Sequence, residues 1–433
     1  MTSGTIILGA GVTGLAAGMA SGLPVMEARA VPGGICSSYY VLPDGRYATR
    51  LEEERGAYRF EYGGGHWIFG GDSAVLALVR RLGSVRSYTR RSAIYLADQA
   101  LFVPYPLQAH LSHLPRDIAM RALSEMAGSL NRPCRTLAEW LDDRFGPTLG
   151  QLFFAPFHER YTAGLWTSIA PQDDYKSPRD LSAAIQGAFG SNSAVGYNVR
   201  FLYPEGGLDK LVRAMADHAD VHFGKEIVGV DLDRRVLRFS DRTTTPYRHL
   251  ISTIPLNRMV GLCGLTVDDA AEPYTSVLVF NIGAIRGARC PDDHWIYVPK
   301  SRSGFHRVGF YSNVDRMFLP FEGEGSVERV SLYVESAFPG GHNASPDTIH
   351  ALGEDTVQEL KEWGFIDTVE VLDPTWIDVA YTWTCPGSSW KAQALALLER
   401  HDIYQVGRYG RWIFQGIADS IRDGLMVGGA FKP

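Results

Sequence analysis

The stretch EYGGGHWIF, residues 61–69, gives up three side chains in a row, at Gly63, Gly64 and Gly65, and then presents one imidazole, His66. Glycine loses more backbone freedom on folding than any other residue, so a run of three needs a reason in close approach or special geometry. Near the N-terminus, GAGVTG supplies a second group, Gly9, Gly11 and Gly14. A glycine turn there lets a pyrophosphate approach the positive end of the helix that follows. Glu27 closes the next strand pattern, LPVME, where a carboxylate holds ribose hydroxyls and repels a 2′-phosphate. These residues point to FAD or NAD and away from NADP. Immediately downstream, PGGICSS carries Gly33, Gly34 and Ser37, and glycines followed by small polar residues would let backbone pack along the longer, two-headed FAD.

Around these groups the chain reads as a strand at 5–9, a helix at 12–21 and a strand at 23–27, a βαβ beginning. Helical spacing recurs at 74–82 and from Asp117 to about Phe145, which predicts a helical insertion. FLYPEGGLDKLVRAMADHA reads as strand, glycine turn and helix, and VHFGKEIVGVDLDRRVLRFSD as a hairpin leading into HLISTIP, where the first domain resumes. Alternating runs over 275–340 predict a mostly antiparallel sheet. DIYQVGRYGRW reads as a strand and GIADSIRDGLMVGGAF as a closing helix. The expected fold is therefore α/β: a Rossmann-type (GR2-like) FAD-binding domain from 1–75, 204–260 and 400–433, a helical insertion at 76–190, and an antiparallel-sheet substrate domain from 191–203 and 261–399.

The 433 residues carry 48 acidic and 42 basic side chains, a net charge of −6 that gives no basic field for nucleic acid. Five scattered cysteines without CxxC spacing predict neither a zinc site nor a disulfide framework, and fit a reducing cytoplasm. The N-terminus lacks the pattern of a secretion signal and no run of eighteen apolar residues occurs, so no membrane segment is expected. No metal-ligand cluster, serine triad or cysteine–histidine pair stands out.

The order GAGxxGL, Glu at a strand end, GG, GGH, VPYPLQ and a late GRYGRW resembles flavoproteins of the amine oxidase and protoporphyrinogen oxidase type, and within them the eukaryotic-type UDP-galactopyranose mutases. The similarity runs nearly end to end. It implies FAD, active when reduced, and a sugar-nucleotide substrate whose pyranose and furanose forms interconvert through a sugar adduct of the flavin, with no net redox. On this likeness the glycine run lies against the flat flavin ring, His66 tunes the flavin and contacts substrate, and Arg307 in GFHRVGFYSN clamps the diphosphate. His66 could otherwise be a core histidine and Arg307 a surface strand residue. Gly64, Gly65, Ile227, Arg408, Ile417 and Ala418 map to the cofactor, and Tyr105, Gln108, Asn198, Tyr297, Asn313, Tyr381 and Phe414 to the substrate.

The chain also departs from the family pattern. A second diphosphate-binding arginine is not evident, and Lys176, Arg179 or Arg411 are the candidates. His158 and Thr162 stand where the resemblance predicts asparagine and tryptophan, and Phe414 where it predicts tyrosine. These changes cluster on the nucleotide side, so GDP or dTDP is as open as UDP. A reductant such as NAD(P)H or a flavin reductase is implied as partner. The competing readings are a flavin oxidase or dehydrogenase of the protoporphyrinogen or amine oxidase kind, and a flavin-binding protein without catalysis.

Overall fold

The computed structural model describes residues 4–48, 56–172, 179–190, 198–321 and 327–432. Thr5–Leu8 is buried at all four positions and forms the centre of a five-stranded parallel sheet in the order Val221–His222, Val25–Met26, Thr5–Leu8, His249–Ser252 and Ile403–Gln405. Strands buried on both faces must be apolar throughout, which is why TIIL reads as a continuous run rather than an alternation. HLISTIP returns to this sheet in parallel register, Thr5 opposite His249 and Leu8 opposite Ser252.

Two helices lie together on this sheet, Val12–Ser21 and the closing Ile417–Ala430. Their backbones touch because of small residues: a Cβ on Gly424 would stand 2.1 Å from the Thr13 carbonyl oxygen, and one on Gly428 would stand 2.4 Å from that of Ala17. The contact fixes the openings of both helices beside the same strand ends.

The second large body is a seven-stranded sheet, ordered Ile366–Thr382, Tyr274–Arg286, Arg329–Pro339, Arg307–Phe310, Trp295–Tyr297, Ser92–Leu96 and Leu101–Pro104. It is antiparallel except where Trp295–Tyr297 runs parallel to Ser92–Leu96. Its register sets Arg307 opposite both Glu335 and Tyr297.

The span 76–190 is not purely helical, as its expected character required. Val85–Thr89, Ser92–Leu96 and Leu101–Pro104 are strands, and the last two extend the seven-stranded sheet. SAIYL is buried at every position, the signature of a core strand rather than an amphipathic helix. The expected helix from 117 to 145 is two helices, Arg116–Ala127 and Leu137–Leu149. The chain breaks at Asn131, which takes φ 53°, and restarts at a capping box in which the Thr136 side chain accepts from the Glu139 amide. In DIYQVGRYGRW only Ile403–Gln405 is strand; Gly407–Gly410 turns helically and swings Arg408 toward the sheet junction. Among the described residues no helix is long and apolar enough to cross a membrane.

Candidate active site

A cavity of about 410 Å³ runs from Gly9, Gly11 and Glu27 past Gly33 and Gly34 to His66, Tyr381 and Arg408. At its outer end, Gly9, Glu27 and Ile254 also border a cleft of about 730 Å³ that Ile227 lines. At its inner end Gly65, Arg307, Tyr381 and Phe414 are shared with a second cavity of about 430 Å³. The two chambers therefore form one path with an arginine and a tyrosine at the join.

The first cavity fits a flavin dinucleotide on several counts. Gly11 caps the Val12–Ser21 helix with no side-chain partner, and Gly416 caps Ile417–Ala430 in the same way. Both helix openings line the cavity, so two sets of uncapped amides and two positive dipole ends face it. A Cβ on Gly11 would meet nothing within 4 Å, which leaves bare backbone open for a diphosphate. The Glu27 carboxylate is held in place by the Ala10 amide at 2.7 Å and the Arg29 amide at 2.9 Å, and lines both the cavity and the outer cleft.

Arg408 donates to the carbonyls of Ala380 at 2.8 Å and Gln415 at 3.3 Å, and its guanidinium lies 4.6 Å from the Phe414 ring centre and 5.3 Å from that of Tyr381. Among the described residues it has no carboxylate partner, so its positive charge borders the cavity held only by carbonyls and aromatic rings. His66 stands in its field. Burial first, then Arg408, lowers the imidazole to about pKa 4, so His66 is neutral at physiological pH. Its Nδ1 lies 3.4 Å from the Gly64 carbonyl oxygen.

The glycine run answers to packing as well as to a ligand. A Cβ on Gly65 would fall 1.9 Å from the Tyr333 hydroxyl, and one on Gly64, at φ 71°, would fall 3.0 Å from Glu335 Oε1. The loop thus sits directly on the seven-stranded sheet. There Arg307 is bound by Glu335 through Nε at 2.8 Å and Nη2 at 2.5 Å, and among the described residues its Nη1 has no partner. Burial alone would raise the Glu335 carboxyl, but Arg307 and His306 outweigh it and hold the group at about 2. His306 Nε2 lies 3.6 Å from the same carboxylate.

The structure brings most of the expected residues to these chambers. Gly9, Gly11, Glu27, Gly33, Gly34, Gly65, His66, Arg408 and Ile417 line the first; Tyr105, Asn198, Tyr297, Arg307, Tyr381 and Phe414 line the second. Others lie just outside. Gly14 lets the first helix close onto the Gly9 carbonyl of the turn before it, Ser37 ties its loop through a 2.6 Å bond to the Pro32 carbonyl, and Ala418 is buried below the helix opening. Gly64 carries the loop rather than the wall, and Gln108 is buried without lining either chamber.

Asn313 does not face the path. Its side-chain amide donates to the carbonyls of Pro291 at 2.9 Å and Asp293 at 2.7 Å, because Tyr311–Val314 turns helically straight after its strand. Arg179 donates to the Met126 carbonyl and Asn131, and Arg411 pairs with Asp423 at 3.2 Å, so neither is a second cation for the cavity; Lys176 lies outside the described residues. Thr162 is spent on the His158 carbonyl at 2.7 Å, whereas His158 itself lines the second cavity. Sequence reasoning missed Arg90, Glu335 and His306. The carboxylate inside the apolar run RVSLYVESAF was a readable signal for Glu335, because an isolated charge in a buried strand needs a partner.

The family model for flavin-containing amine oxidoreductases matches residues 20–429. Among solved structures, reduced UDP-galactopyranose mutase superposes with TM-score 0.82 at 22% identity, covering 98% of this chain and 94% of that one. A protein assigned as a protoporphyrinogen oxidase from Exiguobacterium gives 0.68 at 13% identity, with 98% of each chain covered. Putrescine oxidase bound to putrescine gives 0.58 at 15% identity, again over 98% of each chain. At these identities the superpositions show a shared fold.

Proposed function

The chain belongs to the flavin-containing amine oxidoreductases, and from that premise we propose that it is an FAD-dependent mutase that interconverts the pyranose and furanose forms of a nucleoside-diphosphate hexose. The observation that carries this reading is the charge of the second chamber. Arg307, paired with Glu335, stands at its join with the cofactor cavity, Arg90 lines it, and Arg408 faces the join from the other side, while the carboxylate that lines it, Asp419, is paired with Arg422. An amine substrate is a cation and would be repelled there; a diphosphate is an anion and would be held. The fold likeness to UDP-galactopyranose mutase supports the same choice.

The uncapped helix openings at Gly11 and Gly416, the Gly33–Gly34 turn and Glu27 would hold the FAD. When bound and reduced, the flavin supplies an electron pair as nucleophile toward the anomeric carbon, and a reductant such as NAD(P)H or a flavin reductase keeps it reduced. The remaining chemistry falls to the chain. Arg307 uses Nη1 to neutralise the departing diphosphate and keep it in place for recapture. Glu335 fixes the plane of that guanidinium through the other two nitrogens. His66, being neutral, offers a hydrogen bond without adding charge. The aromatic walls, Tyr105, Tyr297, Phe157 and Tyr161, exclude water from the opened sugar.

An oxygen electrode tests the choice. As an isomerase, the reduced protein converts its sugar nucleotide without stoichiometric oxygen uptake, and His66→Ala and Arg307→Ala abolish conversion while flavin stays bound. Oxygen consumed mole for mole with an amine or a porphyrinogen establishes the oxidase instead.

A further inference from the structure

We propose that Asp423 is a positioning residue for the flavin: by gripping both ends of segment 407–415 it sets where the Arg408 guanidinium stands against the cofactor cavity. The inference rests on the flavin reading of that cavity and holds for an isomerase and an oxidase alike.

Arg408 lies on the short turn Gly407–Gly410, and its two donations go to carbonyls, that of Ala380 in the seven-stranded sheet and that of Gln415 in its own segment. A guanidinium anchored on carbonyls stands wherever the backbone carries them. That backbone is held from the closing helix. Asp423 of Ile417–Ala430 accepts through Oδ2 from the Gly407 amide at 3.3 Å, from Arg411 Nη1 at 3.2 Å and from Gln415 Nε2 at 3.1 Å. One carboxylate thus ties the residue before Arg408 to the residue whose carbonyl receives Arg408. Gly407, at φ 73°, is also pressed against the opening helix, since a Cβ there would stand 2.6 Å from Thr13 Oγ1. The Trp412 ring, buried beside Tyr274 and Trp390, fixes the middle of the segment; Asp423 fixes its ends.

A carboxylate this close could cancel the cation it serves. It does not, because Arg411 Nη1 donates to both of its oxygens, at 3.2 and 3.3 Å, and the pair is neutral as a unit. The charge of Arg408 therefore reaches the cavity undiminished. Gln415 has the orientation the grip requires: its amide nitrogen faces Asp423, and a swapped amide would set oxygen against oxygen. Its Oε1 is left buried and, among the described residues, without a donor. Gln415 and Arg408 both line the cofactor cavity, so what Asp423 holds still is the cavity wall itself.

Spectroelectrochemical titration of the flavin-loaded protein tests this without turnover. A cation beside the flavin stabilises the electron-rich reduced ring and raises the midpoint potential. Asp423→Asn removes a negative charge, which through its field alone would raise the potential further. Acting through Arg408, it should instead lower the potential by a sizeable share of the shift that Arg408→Met produces. Gln415→Met changes no charge and should lower it too. In an Arg408→Met background neither change should lower it again, and Asp423→Glu should recover part of the parent value. An unchanged or raised potential in flavin-loaded Asp423→Asn overturns the proposal, as does an equal fall with and without Arg408. If Asp423→Asn fails to hold flavin, Gln415→Met carries the test, and a parent-like potential in that variant overturns it. A parent protein that takes up no flavin defeats the cofactor reading and this proposal together, whereas a loaded variant with an unmoved potential defeats this proposal alone.

Discussion

Glu335→Gln should produce a protein that is less stable when empty and disproportionately rescued by anions. The carboxylate is 2% exposed and engages Arg307 at 2.8 and 2.5 Å, with His306 nearby at 3.6 Å. Removing one partner of a buried pair leaves the other charge uncompensated, at a cost of about 3–5 kcal/mol. For a chain of 433 residues that lowers the melting temperature by on the order of 3–6 °C. The uncompensated charge of Arg307 is then free to pair with a ligand anion at the join of the chambers. Pyrophosphate at a hundred times its dissociation constant returns about 2.7 kcal/mol of stability to any variant by mass action, and its dissociation constant should be lower in Glu335→Gln than in the parent. Melting curves of the flavin-loaded protein with and without pyrophosphate measure both effects. Combining Glu335→Gln with Arg307→Met should cost clearly less than the sum of the single changes. A Glu335→Gln protein as stable as the parent, or additive single changes, would refute the claim that this pair organises the site.

Gly65→Ala places a methyl group 1.9 Å from the Tyr333 hydroxyl, buried in the core, and should cost about 1–3 kcal/mol and lower the 450 nm flavin absorbance per chain. Glu61, buried and bonded by Ser38 and Tyr203, is raised by burial to about 7 despite the opposing pull of Arg59. A carboxyl whose folded pKa is raised contributes stability below its unfolded value and loses it as pH rises through the folded one. Glu61→Gln should therefore remove a fall of about 3 kcal/mol between pH 4.5 and 7 from the unfolding free energy, seen in urea titrations across that range. Arg408→Met removes the cation that lies beside the cavity without a carboxylate, and should lower the flavin midpoint potential by on the order of 30–90 mV in spectroelectrochemical titration, with an unchanged potential telling against its role.

What the sequence made legible was local. GAGVTG, Glu27 and GGGH each do their work within a few residues of chain, so spacing alone places them on a turn, a strand end or a loop. Arg90 was illegible for the opposite reason. It is followed by Arg91, which is exposed and donates to the Asn313 carbonyl, and only the register of the strands around them decides which arginine enters the chamber. Asn313 was misplaced because a helical turn directly after a strand redirects a side chain that alternation would point inward. The three strands at 85–104 were hidden by the helices that follow them, and the place of the last two in the larger sheet depends on a parallel pairing with residues 295–297, about two hundred positions away. The pairing of Arg307 with Glu335 belongs to the same class, since cross-strand partners 28 positions apart are set by tertiary register.

The most direct test of the account is to incubate dithionite-reduced protein anaerobically with a panel of nucleoside-diphosphate hexopyranoses and resolve the products by chromatography. The account predicts a new peak of identical mass from at least one member, reversible from either side and absent with oxidised protein. Equal conversion by oxidised and reduced protein, or a panel left unchanged by a fully reduced, flavin-loaded sample, would contradict it.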